Sequence, residues 1–114
     1  MSNPILRTAT LAGAALLALG FSLGAVAQSG VPVIGQKDKV FSQEAVTLKA
    51  GDSLRFVNDD TVAHNITVRE PGGSSRAGTL QRPGEEATVA FPQAGAHEVR
   101  CAIHPRMRMT VAVQ

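Results

Sequence analysis

The segment Cys101-Ala102-Ile103-His104-Pro105-Arg106-Met107 lies close to the C-terminus and is the most informative part of the sequence. It brings a thiol, an imidazole and a thioether into one short run, directly after the alternating stretch Ala96 to Cys101. Alternation of inward and outward side chains is typical of a strand with one buried face. The segment therefore predicts a loop of sulfur and nitrogen donors at the end of a β-strand.

A second alternating stretch lies upstream at His64-Asn65-Ile66-Thr67-Val68, where the first, third and fifth residues share one face. Similar short runs recur along the chain, broken by Gly, Pro, Asn and Asp, and no stretch has a helical period. The predicted strands are Val31–Ile34, Lys39–Phe41, Val46–Leu48, Leu54–Val57, His64–Val68, Ala87–Phe91, Ala96–Cys101 and Thr110–Val113. They predict an all-β fold, a Greek-key β-sandwich or barrel of about seven to eight strands. The Gly-, Ser-, Arg- and Pro-rich segment from Glu70 to Glu86 is predicted to be a long polar loop.

The N-terminus has the composition of an export signal. Thr8 to Ala27 contains no charged side chain, and Ala25-Val26-Ala27 supplies the small-x-small pattern that a signal peptidase cleaves. We therefore expect residues 1–27 to be a signal peptide and residues 28–114 to be the mature domain, periplasmic and without stable membrane insertion. An uncleaved anchor is the alternative, since the apolar stretch is close to the length that spans a bilayer.

The composition excludes several classes of protein. The chain has 114 residues, one Cys, no Trp, no Tyr and 4 Phe, with 11 basic against 9 acidic side chains. A single Cys cannot close an intramolecular disulfide, the length allows one domain, and the small net charge argues against binding to nucleic acid. A bound metal is one of the few remaining ways to cross-link so small a domain.

The sulfur and nitrogen donors point to a particular metal. Cys101, His104 and the distant His64 supply one thiolate and two imidazoles, and a methionine thioether follows them closely. This is the ligand set of a trigonal copper site with a long axial sulfur. A soft thiolate favours Cu(I), and neutral imidazoles serve both oxidation states. The set therefore predicts one bound copper ion that cycles between Cu(I) and Cu(II).

Three parts of the chain also carry a family resemblance: the segment from Ala50-Gly51-Asp52 to Asn58-Asp59-Asp60, the pair His64-Asn65, and the segment from Gly95 to Met107. They resemble the cupredoxins, specifically the amicyanin, plastocyanin and pseudoazurin group, and the likeness extends over most of the mature domain. The resemblance implies an antiparallel sandwich of about eight strands, a type 1 blue copper centre and soluble electron transfer.

Two methionines compete for the axial position of such a centre. Met107 lies three residues beyond His104, the spacing of amicyanins, and Met109 lies five beyond, the spacing of plastocyanins and pseudoazurins. Met109 alternates with Val111 and Val113 on one face of the last predicted strand, which gives it an ordinary core role. We predict Met107 as the axial ligand and keep Met109 as the alternative.

Two further polar residues accompany the predicted ligands. By the same resemblance, Asn65 holds the ligand loop through hydrogen bonds near the Cys, although Ala102 lacks the hydroxyl that many relatives carry after that Cys. His97 shares the parity of Cys101 and is predicted to point inward as a hydrogen-bonded core or rim histidine. A fifth ligand or a redox-linked proton site is the alternative role for His97.

The predicted function is to carry single electrons between a redox donor and a redox acceptor, with a c-type cytochrome and a dehydrogenase as candidate classes. The protein is expected to be a monomer and not an enzyme. Arg106 and Arg108 are expected to rim the surface near His104 and to dock an acidic partner. A copper carrier or storage module that does not cycle electrons is the alternative function. A Cys101 nucleophile with His104 as its base is less favoured, because no residue is clearly placed to orient the imidazole.

Overall fold

A computed structural model describes residues 30–114, and within this range it contains nine strands and no helix. The strands are β1 (Val33–Lys37), β2 (Val40–Phe41), β3 (Ala45–Leu48), β4 (Ser53–Asn58), β5 (His64–Arg69), β6 (Ser75–Gln81), β7 (Glu86–Ala90), β8 (Gly95–Cys101) and β9 (Arg108–Val113). The predicted signal peptide, residues 1–27, lies outside the described residues. No helix within residues 30–114 could cross a membrane.

The strands form two sheets, ordered β2-β1-β4-β7 and β3-β9-β8-β5-β6. The predicted all-β sandwich is therefore confirmed. The antiparallel arrangement implied by the family resemblance is wrong for two pairs, because β1 pairs with β4 and β3 pairs with β9 in parallel. The chain passes through β2 and β3 before it reaches β4, and so it returns in the same direction as β1.

The core lies between the two sheets and follows the alternation of the strands. His64, Ile66 and Val68 are all buried, as their shared parity predicts, and so are the alternate residues of β9. The buried apolar side chains are Ile34, Phe41, Leu48, Leu54, Phe56, Ile66, Val68, Phe91, Val99, Cys101, Met107, Met109, Val111 and Val113. Cys101 and both candidate axial ligands, Met107 and Met109, thus belong to one continuous core.

The predicted polar loop from Glu70 to Glu86 is wrong in its middle, because β6 runs through it. β6 lies at the edge of the larger sheet and pairs with β5 alone. Most of its side chains are exposed, so it lacks the apolar alternation that marks the other strands. β6 is a strand because its backbone is hydrogen-bonded to β5, and side-chain composition does not reveal such pairing. The number of strands within residues 30–114 is therefore nine, one more than the upper end of the prediction.

The turn between β1 and β2 has an unusual backbone. Lys37 pairs with Val40, so Asp38 and Lys39 are the two central residues of a tight hairpin, and their φ angles are 53° and 61°. Both therefore occupy the left-handed region, which costs about 1–2 kcal/mol for a residue with a Cβ. Such a turn persists only where neighbouring groups hold it in place.

Candidate metal centre

Three donor side chains meet at one end of the sandwich. His64 begins β5, Cys101 ends β8, and His104 lies in the loop between β8 and β9. The Nδ1 atoms of the two histidines are 3.1 Å apart, and Cys101 Sγ lies 3.6 Å from each of them. Because Ile66 pairs with Cys101 across the two antiparallel strands, His64 extends just past the point where β8 ends. The sequence-predicted donors are thus brought together.

The loop that carries Cys101 and His104 is closed by its own main chain. Cys101 N–H donates to the carbonyl of Met107 at 3.2 Å, and Met107 N–H donates to the carbonyl of His104 at 2.9 Å. Ala102 N–H donates to the carbonyl of Asn65 at 2.9 Å, which ties the loop to β5. These bonds fix the spacing of the thiol and the imidazole without any contribution from a bound ion.

Asn65 supports the thiol with its backbone. Its N–H donates to Cys101 Sγ at 3.3 Å, so the sulfur that a soft metal would bind is held in place by the main chain of β5. Its side-chain Oδ1 is buried and has no hydrogen-bond partner among the described residues. Asn65 therefore holds the ligand loop through its main-chain N–H and C=O. The loop is anchored in this way even though Ala102 has no hydroxyl group.

Asp60 is a member of the site that the sequence reasoning missed. Its Oδ2 lies 2.9 Å from His64 Nε2, and its side chain is 8% exposed. The backbone N–H of Lys39 donates to the same carboxylate and, together with the contact to His64, holds the pKa of Asp60 well below its usual range. An ionised carboxylate only accepts, so His64 donates Nε2–H to Asp60 and turns its Nδ1 toward Cys101.

His104 lies at the surface end of the cluster. Burial lowers the pKa of His104 by penalising the imidazolium, and the nearby His64 and Lys39 act in the same direction. A groove beside it is lined by two segments of the chain, residues 104–107 of the ligand loop and residues 38–40 of the β1–β2 turn. The imidazole is thus kept neutral, as a metal ligand must be, while its ring borders an accessible surface.

The two methionines occupy different environments. Met107 is buried, lines the groove with His104, and is hydrogen-bonded through its backbone to both His104 and Cys101. Met109 is buried opposite Val99 in the pairing of β8 with β9, within the core. Both methionines thus belong to the buried core, and Met107 is the one that also lines the groove with His104.

The remaining predicted residues lie around the cluster. His97 is buried, with Nε2 3.1 Å from a Glu70 carboxylate oxygen and its ring edge-on to Phe91, so the structure places it with those residues instead of with the three donors. Arg106 is exposed beside His104, whereas Arg108 is exposed at the start of β9, opposite Arg100. Of the two arginines, Arg106 is the one that lines the groove with His104.

The donor set fits copper on chemical grounds. One buried thiol that accepts an N–H bond and two imidazole nitrogens within 3.6 Å of it converge on one point. A soft thiolate with two imidazoles and a neighbouring thioether is a copper(I)/copper(II) set, and carboxylates, which harder cations prefer, lie outside the converging atoms. A β-sandwich with this cluster at one end defines the class of type 1 copper proteins.

Comparison with known proteins agrees with this class. The family model described as "Copper binding proteins, plastocyanin/azurin family" matches residues 31–114, and the chain belongs to that family. Amicyanin from Paracoccus versutus is 29% identical over 78% of this chain and 72% of the relative, and chloroplastic plastocyanin from Tetradesmus obliquus is 34% identical over 90% and 77%. The crystal structure of the Paracoccus versutus amicyanin superposes with a TM-score of 0.68 at 25% identity, covering 79% of this chain and 87% of that one.

The family assignment confirms several predictions made from the sequence. The chain is a cupredoxin of the amicyanin and plastocyanin group, its cofactor is copper, and its function is that of a blue copper electron carrier. The cluster of His64, Cys101 and His104 fits a single copper site.

Proposed function

We propose that the protein carries single electrons between two redox proteins, with copper held by His64, Cys101 and His104 as strong ligands and by Met107 as the axial ligand. The observation that carries the proposal is the convergence of Cys101 Sγ and two imidazole Nδ1 atoms within 3.6 Å of one another. Copper, when bound, supplies a one-electron Cu(I)/Cu(II) couple. Met109 remains the alternative axial ligand.

The protein's own residues hold this ligand set rigid. Hydrogen bonds from Cys101 and Met107 close the loop, and the Asp60 carboxylate fixes the ring of His64. Since these bonds join protein groups, they do not depend on a bound metal. A ligand set that does not rearrange lowers the structural cost of gaining or losing an electron. Cys101 is 2% exposed, which keeps the thiolate away from water and from substrates, and this supports a carrier over an enzyme with a Cys nucleophile.

Partner proteins would dock at the groove beside His104. Val40 is 60% exposed and Ile103 is 49% exposed, so this end of the molecule offers apolar contact area around the imidazole. Lys39 and Arg106 add positive charge to the same surface, which suits a redox protein with an acidic face, whether a c-type cytochrome or a dehydrogenase. Arg108 begins β9 and is not among the residues that line this groove, so it would contribute mainly through its long-range charge.

The proposal includes export to the periplasm. Residues 1–27 would be removed as a signal peptide, leaving residues 28–114 as a monomeric mature domain. The uncharged stretch from Thr8 to Ala27 and the Ala25-Val26-Ala27 exit support this assignment. N-terminal sequencing of the protein recovered from the periplasm tests it: the first residue should be Gln28, and recovery of Met1 in the membrane fraction would favour the anchor.

The proposed function is tested by spectroscopy of the purified protein with Cu(II). An intense blue thiolate-to-copper absorption and reversible one-electron voltammetry are expected. Stoichiometric binding without the blue band would instead support a copper carrier or storage module. The Cys101→Ala variant is the control, since it keeps both histidines and loses the thiolate.

The docking surface is tested by reversing charge. Arg106→Glu should slow oxidation of the reduced protein by the anionic reagent hexacyanoferrate(III) at low ionic strength, and high salt should remove most of the difference. Arg69→Glu is the matched control, because Arg69 is exposed at the opposite end of β5 from His64. Equal slowing by both variants would show that net charge alone acts. The double variant Arg106→Glu/Arg108→Glu should change partner kinetics more than the potential.

A further inference from the structure

The carboxylate of Asp60 joins two parts of the molecule that lie far apart in sequence. Its Oδ2 accepts the backbone N–H of Lys39 at 2.8 Å and lies 2.9 Å from Nε2 of His64. Its Oδ1 accepts the N–H of Thr61 at 2.8 Å. Three donors thus converge on one nearly buried side chain, and two of them share a single oxygen atom.

The loop that carries Asp60 is itself anchored in the core. The Asp60 N–H donates to Oδ1 of Asn58, and the Asn58 side-chain amide donates to the carbonyls of Val62 and Gln81, each at 2.9 Å. Asn58 is fully buried. The backbone of Asp60 is therefore anchored by hydrogen bonds that do not involve the two groups held by its Oδ2.

Each of the two groups on Oδ2 needs a partner. The imidazole of His64 has two nitrogens, and a bond from Nε2–H to a carboxylate determines the ring orientation and leaves Nδ1 free toward Cys101. Lys39 sits in a left-handed turn without glycine, which a hydrogen bond to its N–H helps to hold. That turn lines the same groove as His104.

We propose that Asp60 is a positioning residue that holds the ring of His64 and the β1–β2 turn in register, so that one carboxylate organises both the buried side of the copper centre and the surface beside His104. The part that concerns copper rests on the proposed function. The part that concerns the turn does not, since it involves only groups of the protein.

The experiment compares Asp60→Asn with Asp59→Asn. Both variants remove one negative charge from adjacent positions, but Asp59 is exposed whereas Asp60 accepts the three donors. An Asn side chain has one acceptor oxygen and a donor NH₂, so it leaves at least one of the three N–H groups unsatisfied. Asp60→Asn should weaken Cu(II) binding about tenfold. With Cu(I) binding unchanged, a tenfold loss raises the reduction potential by about 59 mV.

Asp59→Asn should give a much smaller shift, and nuclear magnetic resonance of the diamagnetic Cu(I) form provides a second readout. The Nε2–H proton of His64 should be observed in slow exchange in the unaltered protein and in Asp59→Asn, and it should exchange rapidly in Asp60→Asn. Equal shifts of the reduction potential in the two variants would show that Asp60 acts only as a distant charge and would overturn the proposal. An unchanged potential in Asp60→Asn would overturn it as well.

The turn is tested without copper and without reliance on a variant that folds. Hydrogen exchange at the Lys39 amide of the metal-free, unaltered protein should be slow, and exchange at the rate of a free peptide would overturn the role of Asp60 at the turn. In the Asp60→Asn background, changing Asp38-Lys39 to Asn-Gly should restore the turn, because that pair favours positive φ, while the potential stays shifted. If the unaltered protein bound no copper, the proposed function would be wrong. Hydrogen exchange at the Lys39 amide would still test the role of Asp60 at the turn.

Discussion

Gly78 offers a sharp test of how the sheet supports the copper centre. It lies in β6 where the pairing with β5 shifts register between Ile66 and Val68. A Cβ at this position would lie closer than 3.0 Å to the carbonyl of Ile66 and to Oδ1 of Asn65. The Ile66 carbonyl is backbone and cannot rotate away, so Gly78→Ala must move one strand relative to the other.

The size of the effect follows from this geometry. Overpacking in a close-packed interior costs about 1–3 kcal/mol, and a clash with backbone belongs at the upper end of that range. For a loss of about 3 kcal/mol, Tm should fall by about 12–24 °C in a domain of this size. Because Ile66 pairs with Cys101 and the Asn65 N–H donates to its Sγ, the blue absorption should shift too.

The assay is thermal unfolding followed by circular dichroism, with and without copper, beside the absorption spectrum. Gly72→Ala is the matched control, since a Cβ at Gly72 would meet nothing within 4 Å. It should change stability by no more than about 0.5 kcal/mol. If Gly78→Ala melted at the same temperature as Gly72→Ala, β6 would not be packed against β5 as closely as the structure has it, and the reasoning would fail.

Three further outcomes are expected. Met107→Leu should keep the blue colour and raise the reduction potential, because the lost thioether stabilises Cu(II). Met109→Leu should leave the reduction potential unchanged and cost less than about 1.5 kcal/mol of stability. The reverse result would assign Met109 as the axial ligand. Cys101→Ala should abolish both the blue colour and the stabilisation by copper. For the unaltered protein this stabilisation is about 2.7 kcal/mol at a free copper concentration 100 times Kd. A variant that copper still stabilised to that extent would contradict the thiolate assignment. The folded-state pKa of Asp60 is depressed, so its contribution to stability is complete above the ordinary value of 3.8 and is lost as the pH falls below it. The free energies of unfolding in urea of the metal-free protein and of Asp60→Asn should therefore converge on acidification. A difference that stayed constant with pH would argue against this origin.

The sequence was sufficient to predict what alternation controls. His64 and Cys101 share the inward parity of their strands, and the structure brings them together at one end of the sandwich. The core role of Met109 follows from the same rule. In each case a side chain must face either the core or the solvent, and local spacing decides which.

The features that escaped prediction depend on contacts between distant segments. β6 is an exposed edge strand, so no apolar pattern marks it, and its pairing with β5 makes it visible only in three dimensions. The parallel pairing of β1 with β4 depends on which strand the chain returns to, which local pattern does not specify. Asp60 stands in a polar turn where an acidic residue is ordinary, and only the approach of His64 and Lys39 gives it a role.

The single cysteine links the composition of the chain to the behaviour of its metal site. Cys101 is buried and cannot form an internal disulfide, which suggested that copper supplies the missing cross-link between His64 and the last loop. The structure already joins these segments through the hydrogen bond from Ala102 N–H to the Asn65 carbonyl and through Asn65 N–H to Sγ. Copper therefore adds its binding free energy to a site that the protein has organised by itself. Because the donors are held by bonds that do not involve the metal, we expect their positions to change little when the charge of a bound copper ion changes, which is the property that a one-electron carrier requires.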